Sequence, residues 1–230
     1  MRGCFVTGTD TGAGKTIVAA ALCAALAAAG ERVAAFKPVV TGIGEQPQPS
    51  AWPPDHELLA AVTGARPEQV CSQSFAPAVS PHLAAELAGS TIELGALVAS
   101  ATAAAARADV LVVEGVGGLL VPLTAEHSVR DLAVALDLPL VIAARPGLGT
   151  INHTLLTIEA ARAAALDVRA VVLTPWPAEP SIMQRSNRET IARLGAVEVA
   201  TLRLAGGVGE LAGAGATLPW TRWLQTATRT

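Results

Sequence analysis

The chain has 230 residues, a net charge of −3 at pH 7 and 51% hydrophobic residues. This length is compatible with one large α/β domain, and we predict a single domain over residues 1–230. The weak acidity, without a Lys/Arg cluster, predicts no nucleic-acid partner. No run of about 18 apolar residues occurs, so no membrane association is predicted. The three cysteines lack paired spacing, which together with these features predicts a cytoplasmic protein.

Short apolar runs alternate with alanine-rich segments of helical length along the chain. The runs predict buried strands at residues 4–7, 33–36, 110–113, 138–143 and 168–173. The segments predict helices over residues 16–29, 91–106, 129–136, 151–164 and 182–194. This alternation is typical of βαβ units, and it predicts an α/β fold with a doubly wound, mainly parallel sheet flanked by helices.

Two segments carry weaker patterns. Residues 42–81 are rich in Pro and Gly and show one helical signal, at 55–62. We interpret this segment as a long irregular insertion over the carboxyl edge of the sheet, because long loops in compact domains tend to carry function. The Gly-rich region after Ala205 predicts a loop leading to a short final helix.

A phosphate-binding motif lies near the start of the chain. Residues 8–16, GTDTGAGKT, match G-x-x-x-x-G-K-[ST] between a predicted strand and a predicted helix. The glycines let successive backbone N–H groups converge on phosphate oxygens, and the helix directs its positive end to the same place. The motif therefore predicts a nucleoside triphosphate with Mg²⁺. The expected nucleotide-binding residues of this loop are Gly12, Ala13, Gly14, Lys15 and Thr16.

A second lysine, Lys37, follows the second apolar run. Taken alone it would be a solvated lysine at a strand end. We predict that its strand lies beside the phosphate-loop strand, at the edge where open α/β sheets bind ligands. Lys15 and Lys37 would then both face a transferring phosphoryl group, with the Thr41 hydroxyl within reach.

Two acidic residues are candidates for the metal. Glu114 ends the third apolar run, and a buried carboxylate is costly unless it is paired or meets a cation. We predict a magnesium-side carboxylate, with a salt-bridged acid as the alternative. Asp55 begins the helical signal in the long insertion and is either a helix N-cap or a second acid for the metal. The predicted Mg²⁺ ligands are Thr16, Asp55 and Glu114.

Four motifs, in order across most of the first 160 residues, resemble the dethiobiotin synthetases: GTDTGAGKT, KPVVTG, VEGVGGLLVPL and GLGTINHTLLT. That family carboxylates 7,8-diaminopelargonate with carbon dioxide and closes the ureido ring with a nucleoside triphosphate and Mg²⁺, through a carbamate and its anhydride with phosphate. The resemblance implies catalytic roles for Lys37, Lys15 and Thr11. Positioning and electrostatic stabilisation should dominate this chemistry.

The resemblance also implies a set of substrate contacts: Thr11, Lys37, Thr41, Gly117, Gly149, Thr150, Ile151 and Asn152. Residues 147–157 resemble the family's site for the substrate tail. There, a loop and helix start in one subunit receive the carboxylate of substrate held mainly by the other. Backbone N–H groups at a helix N-terminus suit a carboxylate. The resemblance therefore implies a homodimer with active sites at the interface.

The sequence departs from the family at the expected base site. Members that select ATP commonly present an Asn after the fifth predicted strand, where this chain has Thr174 and Pro175. Thr lacks the paired donor and acceptor of an amide, and Pro removes a backbone donor. We therefore expect these two residues at the nucleotide, and use of CTP or other triphosphates besides ATP. Trp176 either stacks on the base or packs against the protein.

The alternative function is a nucleotide switch. Partition and division-site P-loop ATPases share the predicted fold and dimerise on DNA or membranes. Their loop generally carries a second lysine near its beginning, where this chain has Thr9. The final residues, LPWTRWLQTATRT, are only weakly basic and unlike a membrane anchor. The enzyme is therefore the favoured prediction.

Overall fold

The computed structural model describes residues 1–44 and 52–224. Its strands are β1 (Gly3–Gly8), β2 (Val33–Phe36), β3 (Val40–Thr41), β4 (Ser74–Phe75), β5 (Val110–Glu114), β6 (Leu140–Ala144), β7 (Val168–Trp176) and β8 (Glu198–Arg203). Its α-helices are α1 (Lys15–Ala28), α2 (Asp55–Thr63), α3 (Pro67–Val70), α4 (Pro81–Leu87), α5 (Leu94–Ala105), α6 (Val129–Leu136), α7 (Thr150–Ala163), α8 (Ile182–Gly195), α9 (Leu211–Ala216) and α10 (Trp220–Trp223).

The main sheet has the strand order β2-β5-β1-β6-β7-β8, and every neighbouring pair runs parallel. The five predicted strands and the doubly wound α/β class are thus confirmed. The sixth strand, β8, was not predicted. It lies at the edge of the sheet, and Glu198, Thr201 and Arg203 interrupt its apolar pattern, so it lacks the run typical of a strand buried on both faces.

Side chains on the two faces of the sheet enter separate cores. In β1, Phe5 packs into a cluster with residues from α5 to α8, whereas Cys4 and Val6 pack on the other face with α1, α2 and α9. Strands covered on both faces require apolar residues at successive positions, which explains the continuous runs in the sequence. Because helices cover both faces of the sheet, its carboxyl edge is left as the place where polar side chains collect.

Two expectations for irregular segments were wrong in part. Within residues 52–81 the structure has α2, α3 and β4, and α2 buries Leu58 and Leu59 in the core beside α1. Residues 45–51 lie outside the described part. After Ala205 the chain forms α9 as well as the final α10. Helix α9 packs so closely on α1 that a Cβ at Gly215 would lie 2.0 Å from the Ala21 carbonyl oxygen, and this close approach requires glycine.

Within residues 1–44 and 52–224, the longest apolar helices fall short of what crossing a membrane would require.

Candidate active site

The phosphate loop joins β1 to α1 in the predicted setting. Gly12 and Gly14 adopt φ values of 70° and 92°, a left-handed conformation that glycine reaches without steric cost. Gly14 is the N-cap of α1 and has no side chain to cap the helix. The first backbone N–H groups of the helix can therefore donate to a ligand. The Lys15 ammonium donates to the carbonyl of Asp10 at 3.1 Å within the loop.

A buried ionic cluster forms at the carboxyl edge of the sheet. Lys37, only 3% exposed, donates from Nζ to Oδ2 of Asp55 and to Oε1 of Glu114, at 2.6 Å each. We predicted that its strand β2 lies next to the phosphate-loop strand β1, and this was wrong, because β5 lies between the two. Since β5 ends in Glu114, this order places the Glu114 carboxylate directly beside Lys37.

Burial and charge shift the ionisation of this cluster in opposite directions. Burial favours the neutral form of Lys37, but the carboxylates of Glu114 and Asp55 outweigh it and raise the pKa of the ammonium. Burial, followed by the charge of Lys37, lowers the pKa of Lys15. The pKa of Asp55 is lowered because Lys37 outweighs its burial, whereas burial raises the pKa of Glu114. Lys37 is therefore held as a cation.

Three oxygen groups in the cluster suit a hard divalent cation. The Thr16 hydroxyl oxygen lies 2.9 Å from Oδ1 of Asp55 and 2.9 Å from Oε1 of Glu114, although its single proton can serve only one of them. The second carboxylate oxygen of Glu114, Oε2, is buried without a hydrogen-bond partner among the described residues. Hydroxyl and carboxylate oxygens are the ligands that Mg²⁺ takes in phosphate sites.

A cavity of about 610 Å³ opens over this cluster. The predicted residues that line it are Thr11, Gly12, Gly14, Lys15, Thr16, Lys37, Thr41, Asp55 and Gly117. Residues 78–81, from the end of the long insertion, form another part of its wall. Ala13, the other predicted nucleotide-binding residue of the loop, is fully buried and does not line the cavity. The structure thus brings the phosphate, metal and reacting-group candidates into one space.

Of the predicted substrate-tail residues, Thr150 lines a different cavity of about 360 Å³, which we call the tail cavity, together with Thr9 and Asp10 of the phosphate loop. Gly149 is the N-cap of α7, with φ of 89° and no side-chain cap. Ile151 and Asn152 follow in the first turn of α7. Both cavities therefore border the phosphate loop: Thr9 and Asp10 line the tail cavity, whereas Thr11 and Gly12 line the reaction cavity.

Thr174 packs against the phosphate loop. It is buried at the end of β7, and a Cβ at Gly14 would lie 2.4 Å from its Cγ2 methyl group. Pro175 follows with its side chain exposed. Trp176 is half-buried and packs against the core, as one of its two predicted roles requires. Thr174 therefore occupies the space directly over the start of α1.

The sequence reasoning missed one residue that lines the tail cavity and one that holds the turn beside it. Arg145 follows β6 and lines this cavity. Asn187 of α8 is 6% exposed and donates from Nδ2 to the carbonyls of Pro146 and Gly147, at 3.1 and 3.2 Å. A polar residue on a helix carries no signal that it reaches a loop about 40 positions earlier. The Arg145 position, directly after an apolar run, could have been singled out by the reasoning applied to Lys37.

Comparison with known proteins agrees with this geometry. A family model described as an AAA domain matches residues 2–203. The MinC:MinD cell division complex of Aquifex aeolicus has a similar fold, with a TM-score of 0.56 and 13% identity, over 94% of this chain and 93% of the other. A ParA family ATPase of Chlorobium tepidum gives a TM-score of 0.52 and 14% identity, over 100% of this chain and 94% of the other. Fold and site define a P-loop nucleotide-binding protein.

Sequence relatives are more specific. An ATP-dependent dethiobiotin synthetase BioD of Anaeromyxobacter sp. strain Fw109-5 is 46% identical over 205 residues, which covers 84% of this chain and 90% of the relative. The same name belongs to a Mycobacterium sp. strain KMS protein that is 39% identical, over 90% of this chain and 88% of the relative. This chain belongs to the ATP-dependent dethiobiotin synthetase family. The cell-division and ParA likenesses, at 13% and 14% identity, show the fold alone.

Proposed function

We propose that the chain forms dethiobiotin from 7,8-diaminopelargonate, carbon dioxide and a nucleoside triphosphate, with Mg²⁺. The observation that carries this proposal is the position of Lys37. A plain nucleotide switch needs the phosphate loop and a metal carboxylate. Here a second buried lysine stands 2.6 Å from the Glu114 carboxylate, in the cavity that Thr11 and Thr41 also line. That cation suits a reaction that concentrates negative charge beside the γ-phosphate.

The chemistry proceeds in three balanced steps. One amine of the substrate attacks carbon dioxide, forms a C–N bond and releases a proton, which gives a carbamate. A carbamate oxygen then attacks the γ-phosphorus, and the bond to the leaving nucleoside diphosphate breaks. Finally the second amine attacks the carbamate carbon, loses a proton and expels inorganic phosphate as the ring closes. Positioning and charge stabilisation are the main demands on the protein.

The residues of the cavity fit these demands. The third N–H of Lys37 points to the Gly115 carbonyl at 3.3 Å, a weaker contact than its two ion pairs. A carbamate oxygen can replace that contact at little cost, and this would bring the carbamate under the Lys37 charge. Lys15 serves the γ-phosphate, while Thr11 and Thr41 offer hydroxyls to carbamate or amine groups.

Thr16, Asp55 and Glu114 would hold Mg²⁺. The single proton that Thr16 has for two carboxylate contacts and the unpartnered Oε2 of Glu114 support this assignment. When bound, Mg²⁺ supplies positive charge to the phosphate oxygens.

For the nucleotide base we propose low selectivity. The Thr174 side chain faces the phosphate loop through its methyl group, which cannot discriminate a base edge by hydrogen bonding. We therefore expect CTP, GTP and UTP to replace ATP as phosphoryl donors. Similar rates within about tenfold are the expected result, and strict use of ATP would contradict it.

We further propose a homodimer in which the α7 start of one subunit receives the substrate carboxylate from the other. Large apolar side chains are exposed on this side of the molecule: Leu148 at 93%, Leu120 at 56% and Leu156 at 56%. Leu120 and Leu156 also line an apolar cavity of about 430 Å³. Exposed apolar patches of this kind mark association surfaces.

The three free cysteines and the dependence on a nucleotide pool favour a cytoplasmic location.

Mixed dimers test the shared site. Lys37→Ala and Asn152→Asp variants each damage one half of every site, the second by placing a carboxylate where the tail carboxylate binds. If the halves come from different subunits, mixing the two variants restores one intact site per mixed dimer. Activity above that of either variant alone is the expected result, and no recovery in verified mixed dimers would contradict the shared site.

The activity itself is tested by incubating the protein with diaminopelargonate, bicarbonate, Mg²⁺ and each nucleotide. Dethiobiotin is then detected by mass. Product with one or more nucleotides, formed at least about 100-fold more slowly by Lys37→Ala, is the expected result. Nucleotide hydrolysis without dethiobiotin would assign the chain to the nucleotide-switch class instead.

A further inference from the structure

Arg145 stands where the phosphate loop and the start of α7 meet. It follows β6, and β6 pairs with the phosphate-loop strand β1, so that Arg145 leaves the sheet beside that loop. Its Nη2 donates to the carbonyl of Thr11 at 3.2 Å. Its nearest carboxylate is that of Asp10, at 3.7 Å. The guanidinium has five N–H donors in a planar fork, and this single short contact leaves most of them available.

The same side chain lines the tail cavity. That cavity of about 360 Å³ is bounded by the Arg145 guanidinium, by Asp10 of the phosphate loop, and by Gly147, Leu148 and Thr150 at the α7 start. The Arg145 side chain is 59% exposed and its ion pair with Asp10 is long and solvated, so a ligand carboxylate can compete for it. A guanidinium can also hold both oxygens of one carboxylate, which backbone N–H groups with a single donor each cannot do.

The turn between Arg145 and α7 is fixed by hydrogen bonds from α8. The buried amide of Asn187 donates to both Pro146 and Gly147, the two residues that follow Arg145. These bonds fix the direction in which the chain leaves β6, and so the distance between the guanidinium and the first turn of α7. An exposed arginine on a fixed turn loses less freedom on binding than one on a free loop.

We propose that Arg145 binds the carboxylate of the diamine substrate and is the residue that selects a substrate carrying this group. The inference rests on the proposed function and deepens it. The α7 backbone supplies N–H groups, whereas Arg145 supplies the full charge and the paired geometry. Through Thr11, which also lines the reaction cavity, Arg145 connects the tail site with the site of phosphoryl transfer.

The competing explanation is that Arg145 only braces the phosphate loop through Thr11. The two roles differ in which substrate they affect. If Arg145 only stabilises the phosphate loop, its loss weakens nucleotide binding. If Arg145 binds the substrate carboxylate, its loss weakens binding of a diamine that carries a carboxylate and leaves binding of an uncharged analogue unchanged. A comparison of 7,8-diaminopelargonate with 2,3-diaminononane, the same vicinal diamine with a methyl group in place of the carboxylate, separates them.

The test uses Arg145→Gln, Arg145→Lys and a control, Arg107→Gln. Arg107 lies shortly before β5, at the amino edge of the sheet, which is opposite the candidate active site. For Arg145→Gln we expect the KM for diaminopelargonate to rise about tenfold, the loss typical of a charged hydrogen bond. The KM for the nucleotide and the KM for 2,3-diaminononane should not change. Arg145→Lys keeps the charge without the fork and should lose less.

Two further readouts bear on the same point. Added salt should raise the KM for diaminopelargonate in the wild type more than in Arg145→Gln, because an exposed charge pair is screened. Calorimetric binding of diaminopelargonate to the protein loaded with a non-hydrolysable nucleotide tests the contact without turnover. A lack of dethiobiotin in the wild type would overturn the proposed function. In that case the calorimetric affinities of the wild type and Arg145→Gln for diaminopelargonate would still test the role of Arg145. Equal losses for both diamines, or a raised nucleotide KM, would overturn the inference.

Discussion

The starts of α1 and α7 share the same backbone geometry but have different surroundings. Each helix is preceded by a glycine with a left-handed φ, 92° at Gly14 and 89° at Gly149, and neither has a side-chain cap. Around α1 the cations are buried and Thr174 covers the loop, whereas a Cβ at Gly149 would have no neighbour within 4 Å among the described residues outside its own helix start. The candidate residues for the phosphate line one cavity within a single chain. The tail site is open, which agrees with the proposal that a second subunit completes it.

The largest effect is expected at the buried cation. Lys37→Ala should lower kcat by about 100-fold to 1000-fold, as removal of a charge-stabilising donor does in other enzymes, and leave the nucleotide KM nearly unchanged. It also leaves the fully buried Glu114 without its ion-pair partner, so thermal unfolding should occur at a lower temperature. Steady-state kinetics and calorimetry check both. Lys37→Arg is the control that keeps the charge, and a nucleotide KM that rises as much as kcat falls would contradict this role.

The next effect concerns the metal. Glu114→Gln keeps the shape of the side chain but removes its negative charge and one strong Mg²⁺ ligand. We expect the Mg²⁺ concentration for half-maximal rate to rise by about 10-fold to 100-fold. A titration with Mg²⁺ at saturating nucleotide measures this shift, with Glu31→Gln as the control. An unchanged Mg²⁺ requirement would return Glu114 to the salt-bridge interpretation.

A pair of glycine substitutions sharpens the comparison of the two helix starts. Alanine at either position costs about 1–2 kcal/mol in the left-handed conformation. At Gly14 the new methyl group would also meet Cγ2 of Thr174, which lies 2.4 Å from that position. Gly14→Ala should therefore raise the nucleotide KM more than Gly149→Ala raises the KM for diaminopelargonate. Adding Thr174→Ser to Gly14→Ala removes the methyl contact, and a double variant no better than the single one would rule out the clash.

The smallest effect is expected at the far edge of the sheet. Asp109 there accepts hydrogen bonds from the Arg32 side chain and backbone, which lower the pKa of its carboxyl to about 2. Because the folded pKa lies below the unfolded one, the contribution to stability is present above about pH 4 and is lost as the pH falls towards 2. Asp109→Asn should therefore reduce the acid sensitivity of unfolding slightly and leave all kinetic constants unchanged. Altered kinetic constants would contradict this expectation and would mean that Asp109 affects the candidate active site.

Sequence reasoning succeeded where one physical cause governs a residue. Strands buried on both faces need continuous apolar runs, so five strands and the phosphate loop were predictable. Strand order was not, because periodicity carries no information about neighbours, and β5 between β2 and β1 was missed. The edge strand β8 and the buried Asn187 were missed for a related reason. Their roles depend on tertiary contacts with distant residues, which leave no local pattern.

Transfer of oxygen from bicarbonate to phosphate tests the central claim most directly. If the site phosphorylates a carbamate, an oxygen that entered with carbon dioxide bridges carbon and phosphorus, and it leaves with the phosphate when the ring closes. With bicarbonate labelled with ¹⁸O, a single turnover should yield dethiobiotin together with phosphate that carries one labelled oxygen. Lys37→Ala should form both products at least about 100-fold more slowly. Formation of dethiobiotin with unlabelled phosphate would contradict phosphorylation of a carbamate at this site.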